Sequence, residues 1–392
     1  MNLVNNLKYK LSDIFKLNQT QIGGENESSG AFVLLAVIAL IFIVIQLMSK
    51  VTYYATKKET NWNAVKDRCE KFPANFKPVP DSWNNDINDK LKNYYVKTAW
   101  NCCSLGNFKN DWVDPRGVEC AIKHGYRCLD FQIFSVNNSP VVSTSYTNSI
   151  YSLATFNIIP FEVAMATVSN KAFSADGCVN YTDPLLLHFR VMSNHPNTYN
   201  SMAKTIIKTF SGKLINKPVS EMSGENEIIN STVSSLKNKV IIMIDGLENQ
   251  NYKGTMFEKL VNMSNENTVD GLYTKTETEL LTNTDQTELT NYNKVIMTFC
   301  KPDLSSTNKN VEVMKHKVRG TQFIPMNIAN DDSNLKYYLE NIFSTYAFSK
   351  KPDNLITGET TTKINTPDGE PLSQPYKPKT SSSLVAALVG TW

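Results

Sequence analysis

From Tyr94 onward the chain repeats one pattern: a short apolar run, a polar turn, a stretch with helical apolar spacing, then another apolar run. The apolar runs fall at 94–99, 127–134, 141–144, 185–191, 240–244, 295–299 and 322–328. Between them, 113–124, 161–173, 199–210 and 335–343 space their apolar residues as helices do. The first of these has Pro115 in its opening turn and Gly125 just past its end, the usual helix punctuation. Strands alternating with helices predict an α/β fold built on a parallel sheet. Seven strands between residues 94 and 348 suit a TIM-type (β/α) barrel with one irregular strand.

Residues 31–48 are apolar except for Gln46. As a helix they would cover roughly 27 Å, close to the hydrocarbon thickness of a bilayer. Tyr53 and Tyr54 follow at the interfacial depth. A cleaved leader is a poor fit, because a mostly polar segment of about thirty residues precedes the run and no small-residue cleavage site follows. A single transmembrane helix near the N-terminus is therefore expected. Lys50, Lys57, Lys58, Lys66 and Arg68 follow the span, against Lys8, Lys10 and Lys16 before it. The positive-inside rule then places the C-terminal part on the cytoplasmic side.

Composition narrows the function classes. A net charge of +3 over 392 residues offers no electrostatic case for nucleic acid. Asn outnumbers Asp and Glu together, which generates glycosylation sequons by chance, such as that at Asn180. The cysteines at 69, 102, 103, 120, 128, 178 and 300 are odd in number and show no zinc-type spacing. They read as buried free thiols in a reducing compartment, in agreement with the cytoplasmic placement. Around the barrel, 1–30 is a polar segment. Residues 49–93, with Trp62, Phe72, Phe76, Trp83 and three prolines, read as a stalk packing on the domain. The polar stretch 246–293 reads as an insertion, and 349–392 as an extended tail.

Five pieces of the chain, KTAWNCC, AIKHGYRCLDFQIF, PVVSTSY, DPLLLHFRV and GTQFIPMNI, occur in that order across residues 94–348. Here the sequence resembles the X-domain of phosphatidylinositol-specific phospholipase C, of the PLC-like phosphodiesterase superfamily. The resemblance implies a (β/α) barrel and an acid–base pair of histidines, aided by a cation or arginine on the phosphate. The position of the family's first histidine is held by Trp100, and that of the second by Thr144. Neither side chain shuttles protons near neutral pH. The calcium ligands of the family fall on Asn101, Asp130, Gln132 and Arg190. Two carboxylates are lost and one has become a cation, so no metal or other cofactor is expected.

Strand alternation gives a second, independent view. In 185–191 the apolar residues 185, 187, 189 and 191 suit the helix-covered outside, which turns His188 and Arg190 inward. The same logic turns Asp130 and Gln132 inward. Asp245 ends its strand and Asn327 lies near the end of the last. A polar cluster of Asn101, Asp130, Gln132, Thr144, His188, Arg190, Asp245 and Asn327 is thus expected at one barrel mouth. The favoured reading is a retained polar core in which Asp130 pairs with Arg190 and His188 is hydrogen-bonded. The alternatives keep His188, Arg190 and Asp130 as a remodelled catalytic set, or use the mouth to bind a phospholipid headgroup. His124, His195 and His316 read as surface residues.

The expected protein is a membrane-anchored barrel that works as a structural or interaction component. Its partners are the bilayer, a phospholipid headgroup and other proteins of an assembly. Its composition and design resemble proteins of large DNA viruses with an internal membrane, so a virion membrane is one expected location.

Overall fold

The computed structural model describes residues 27–70, 75–84, 89–149, 152–246, 252–282 and 284–356. The chain divides into two units, Met1–Thr60 and Asn61–Trp392. In the first, helix α1 (Glu27–Glu70) begins and carries the apolar run. Leu34, Leu35, Phe42 and Leu47 are each more than half exposed there. Among the described residues this is the one helix long and apolar enough to cross a membrane.

In the second unit, nine-residue β3 (Cys128–Val136) and eight-residue β6 (Leu185–Met192) form the centre of a parallel sheet. β1 (Tyr94–Val96) and β2 (Thr98–Ala99) make up the first strand position, and β2 runs parallel to β3. On the other side come β7 (Val240–Ile244) and β8 (Met263–Ser264), both parallel. β9 (Leu272–Thr276) and β10 (Met297–Lys301) form a further parallel pair. Isolated bridges continue the circuit: Ser264 to Gly271, Phe299 to Phe323, Val96 to Phe323 and Ala99 to Met326. The 322–328 run makes only these bridges because Pro325 supplies no amide donor. It is the irregular member of a TIM-type barrel.

Three expectations about this unit change. The run 141–144 is not a barrel strand. It lies in β4 (Ser139–Val142), which folds back antiparallel on β3 and pairs with β5 (Ile159–Pro160). The cause is local, since Asn137 and Asn138 both take positive φ (50° and 61°) and close a two-residue hairpin. The stretch 246–293 is not wholly an insertion, because β8 and β9 lie within it. Short strands in polar surroundings carry too few apolar residues to register as periodic. The tail begins later than residue 349: β11 (Phe348–Lys350) pairs antiparallel with β1. The rest of the tail beyond residue 356 lies outside the described residues.

Helices α2 (Pro115–Lys123), α3 (Phe161–Ala172) and α4 (Pro196–Thr209) cover the outer face of the sheet. Asp114 caps α2 by accepting from Arg116 N at 2.9 Å. Gly125 ends it at φ +78°, where a Cβ would stand 2.4 Å from the Phe76 ring. Leu185, Leu187, Phe189 and Val191 join Val118, Ala164, Met202 and Ile206 in the outer core. Leu186, Met243, Met263, Met297, Phe299 and Phe323 fill the interior. The last turns of α1 also belong to this unit. Val65 and Cys69 are buried, and Cys69 is disulfide-bonded to Cys120 of α2. This corrects the expectation that all seven cysteines are free thiols.

Lys97, between β1 and β2, is fully buried without a carboxylate. Its Nζ donates to His124 O at 2.7 Å and lies over the rings of Phe76 and Tyr126. Burial brings its pKa from 10.5 down to about 7. The unfolded chain therefore binds more protons between those values, so stability rises as pH rises from about 7 towards 10.5. Replacing Lys97 with methionine is expected to remove this slope, worth a few kcal/mol across that range. Melting temperatures of the two proteins at about pH 7 and about pH 10 check it.

Candidate functional site

Parallel pairing of β3 with β6 sets Asp130 opposite His188 and Gln132 opposite Arg190. All four side chains point to the barrel interior, because their neighbours 129, 131, 187 and 189 face the helices. Asp130 is completely buried and its carboxylate accepts four hydrogen bonds. The donors are His188 Nδ1 (2.8 Å), Arg190 Nε (3.0 Å), Arg190 Nη2 (2.8 Å) and Asn101 N (3.0 Å). Burial pushes the Asp130 pKa up, but Arg190 and His188 outweigh it and hold the acid at about 2. It is a carboxylate at every physiological pH.

Asn101 sits at φ 43°, a left-handed turn that Asn tolerates, and its Oδ1 accepts from Arg190 Nη2 at 2.5 Å. Above the guanidinium lies the ring of Trp100, 3.8 Å away. The His188 ring stacks on Phe299 with centroids 4.1 Å apart. Among the described residues, His188 Nε2 is buried and has no hydrogen-bond partner. Arg190 is thus held on its edges by Asp130 and Asn101 and on one face by Trp100.

The other expected residues lie around this network without joining it. Thr144 Oγ1 donates to Phe108 O at 3.0 Å, and Gln132 Oε1 accepts from Ser145 N at 2.8 Å. Asp245 belongs to a second ion pair: it accepts from Lys301 Nζ at 2.8 Å and Asn265 Nδ2 at 2.6 Å. Asn327 belongs to the loop structure instead: its backbone N–H donates to Asn310 Oδ1 at 2.6 Å and its side-chain Oδ1 accepts from Ala329 N at 2.7 Å.

Phe299, Lys301 and Asn265 are site residues that the sequence pattern does not reveal. Phe299 and Lys301 share one face of β10; Phe299 ends the 295–299 apolar run, and extending that strand by two residues would have exposed Lys301 on the same face. Asn265 follows the short strand β8 and carried no signal.

His124 and His316 are not surface residues. His124 is buried, with Nε2 2.5 Å from Arg68 O, and burial together with Lys97 lowers its pKa to about 4. His316 is fully buried with Nε2 3.3 Å from Cys300 Sγ. Both close helices whose inner face packs on the barrel, which adjacent lysines in the sequence disguise. His195 is exposed.

Residues 87–245 match the family model described as phosphatidylinositol-specific phospholipase C, X domain. The match contains Trp100, Asn101, Asp130, Gln132, Thr144, His188, Arg190 and Asp245. Among solved structures, S. officinalis PLC21 is similar at 15% identity and a TM-score of 0.59, over 71% of this chain and 39% of that one. L. pealei PLC21 is similar at 15% identity and a TM-score of 0.57, over 71% and 40%. The chain thus spans about two fifths of the length of these relatives. No curated protein matches it in sequence. The fold is a phospholipase-type α/β barrel. Residues 87–245 are similar to that X domain, and the likeness to the solved structures is one of fold.

Calcium, which the family resemblance brings in, does not fit the donors present. The Asn101 and Asp130 oxygens that would face the ion are spent on the Arg190 guanidinium. A divalent cation would have to displace a buried positive charge from its own counter-ion.

Proposed function

We propose that this protein is a membrane-tethered, PLC-like barrel that has lost ordinary phosphodiesterase catalysis and serves as an interaction module of a membrane-associated assembly. One observation carries the reading. Where the family's chemistry needs a base, Trp100 instead covers Arg190, and Arg190 is saturated by Asp130 and Asn101. The partner position is no better equipped, since the Thr144 hydroxyl is spent on Phe108 O. General acid–base catalysis needs two groups that titrate near the working pH and can reach substrate. Indole and hydroxyl do neither. The exposed apolar surface of α1 supports the tether.

A second reading, a diverged phosphodiesterase or headgroup binder, is favoured by one feature. His188 is oriented by Asp130 in the manner of a catalytic base, and its Nε2 is unengaged. His188 is fully buried and stacked on Phe299, which closes that nitrogen to a lipid in this conformation.

The test is an assay of the full chain in phosphatidylinositol vesicles, or with a water-soluble glycerophosphodiester added to them, with and without calcium. No turnover above protein-free vesicles is expected. Turnover that His188→Ala abolishes would overturn the proposal.

A further inference from the structure

The disulfide between Cys69 and Cys120 bears on the side of the membrane that the barrel occupies. It closes a loop of sequence separation 51 and ties the end of α1 to α2. The two residues lie on different helices with Cα atoms 5.3 Å apart, so the bond reflects tertiary packing rather than sequence proximity. Persistent structural disulfides belong to oxidising compartments and are rare where the cytosolic thiol pool keeps cysteines reduced.

The remaining cysteines agree. Cys102, Cys103, Cys128, Cys178 and Cys300 are all unpaired and all buried. Burial raises the pKa of Cys102, Cys128, Cys178 and Cys300, which keeps them protonated and poor partners for exchange. Such a set survives an oxidising environment without scrambling.

The charge argument for the opposite side weakens once the fold is known. Arg68 donates to Ile328 O and Ala329 O, and Lys66 lies in the same barrel unit. These two are domain residues and not free flanking charges. What remains is Lys50, Lys57 and Lys58 after the span against Lys8, Lys10 and Lys16 before it, three on each side. Long folded domains in any case cross membranes largely regardless of their charge.

We infer that the barrel folds on the oxidising, non-cytosolic side of its membrane, where a thiol–disulfide oxidoreductase cross-links Cys69 to Cys120. The step balances simply. One cysteine thiolate attacks the oxidoreductase's disulfide, giving a mixed disulfide and one oxidoreductase thiol. The second cysteine thiolate then displaces the other oxidoreductase thiol. Cys69 and Cys120 lose two protons and two electrons in total, and the oxidoreductase disulfide is reduced to a dithiol. The polar N-terminal segment stays in the cytosol. The inference is independent of whether the barrel retains catalysis.

The full-length chain, synthesised into sealed endoplasmic-reticulum microsomes, tests it by two readings. Thiols are trapped by acid quench and alkylation under denaturing conditions, and peptides are read by mass spectrometry. A linked peptide containing Cys69 and Cys120 is expected, with the five other cysteines alkylated. Protease added outside the vesicles is expected to leave a fragment containing the whole barrel, lost when detergent opens them. The double variant C69S/C120S should remain protease-protected and lose only the linked peptide. Alkylated Cys69 and Cys120 in the wild-type chain, or a barrel digested in sealed vesicles, would overturn the inference.

Discussion

Replacing Asp130 with alanine is expected to destabilise the barrel by about 3–5 kcal/mol, the usual cost of orphaning a buried ion-pair partner. The change removes one carboxylate but strands three other groups. Arg190 loses its Nε acceptor and one of its two Nη2 acceptors, and His188 loses the acceptor that fixes its ring. The Asn101 amide loses its partner as well. Chemical denaturation of wild type and variant reads the difference.

Size alone does not identify the mechanism, because any core truncation can be costly. Two further measurements do. Asp130 has a folded pKa of about 2 against an ordinary value of 3.8. A lowered acid contributes stability that is fully present above the ordinary value and lost as pH falls through the folded one. The gap between wild type and Asp130→Asn should therefore be flat at neutral pH and narrow below about pH 4. The triple change of Asp130 and His188 to leucine with Arg190 to methionine should recover much of the loss, since apolar replacement of a whole buried network is often neutral. A triple variant as unstable as Asp130→Ala would show that packing, not stranded charge, sets the cost.

Reducing the Cys69–Cys120 bond is the second large effect expected. For a loop of this length the chain-entropy relation gives a loss of about 4 kcal/mol, acting through a less restricted unfolded state. Native contacts at the junction should persist. Asn61 Nδ2 still donates to Asp111 Oδ1 at 2.7 Å, and Arg116 still lies over the Trp62 ring. Reductant should thus lower the midpoint of unfolding while leaving near-ultraviolet circular dichroism intact. The C69A/C120A variant should show no response to reductant. A wild-type midpoint insensitive to reductant would mean that the bond constrains little.

How far the site was legible follows strand by strand. The inward turn of Asp130, Gln132, His188 and Arg190 is readable because β3 and β6 are long and their polar residues 130 and 132, and 188 and 190, alternate with apolar ones. Residues on short or bent elements were not readable in the same way. Asn265 follows a two-residue strand, and Lys301 lies beyond the apolar run that marked β10. The hairpin at Asn137 and Asn138 had a turn signature, yet the apolar run behind it resembled a barrel strand equally well. Cysteine pairing was not legible at all, because Cys69 and Cys120 are neighbours only across a closed fold.

The chain by itself determined the α/β alternation, the apolar span at 31–48, and the absence of histidine at positions 100 and 144. These are properties of residue type and local spacing, which folding does not alter. Only the tertiary structure decided how the residues at the mouth are joined. Hydrogen bonds from Asn101, His188 and Arg190 converge there on the one carboxylate of Asp130, and Trp100 takes the space above the guanidinium. Tertiary structure also decided that two of seven cysteines are joined. Both outcomes depend on distances between residues far apart in sequence, which pattern and propensity do not encode.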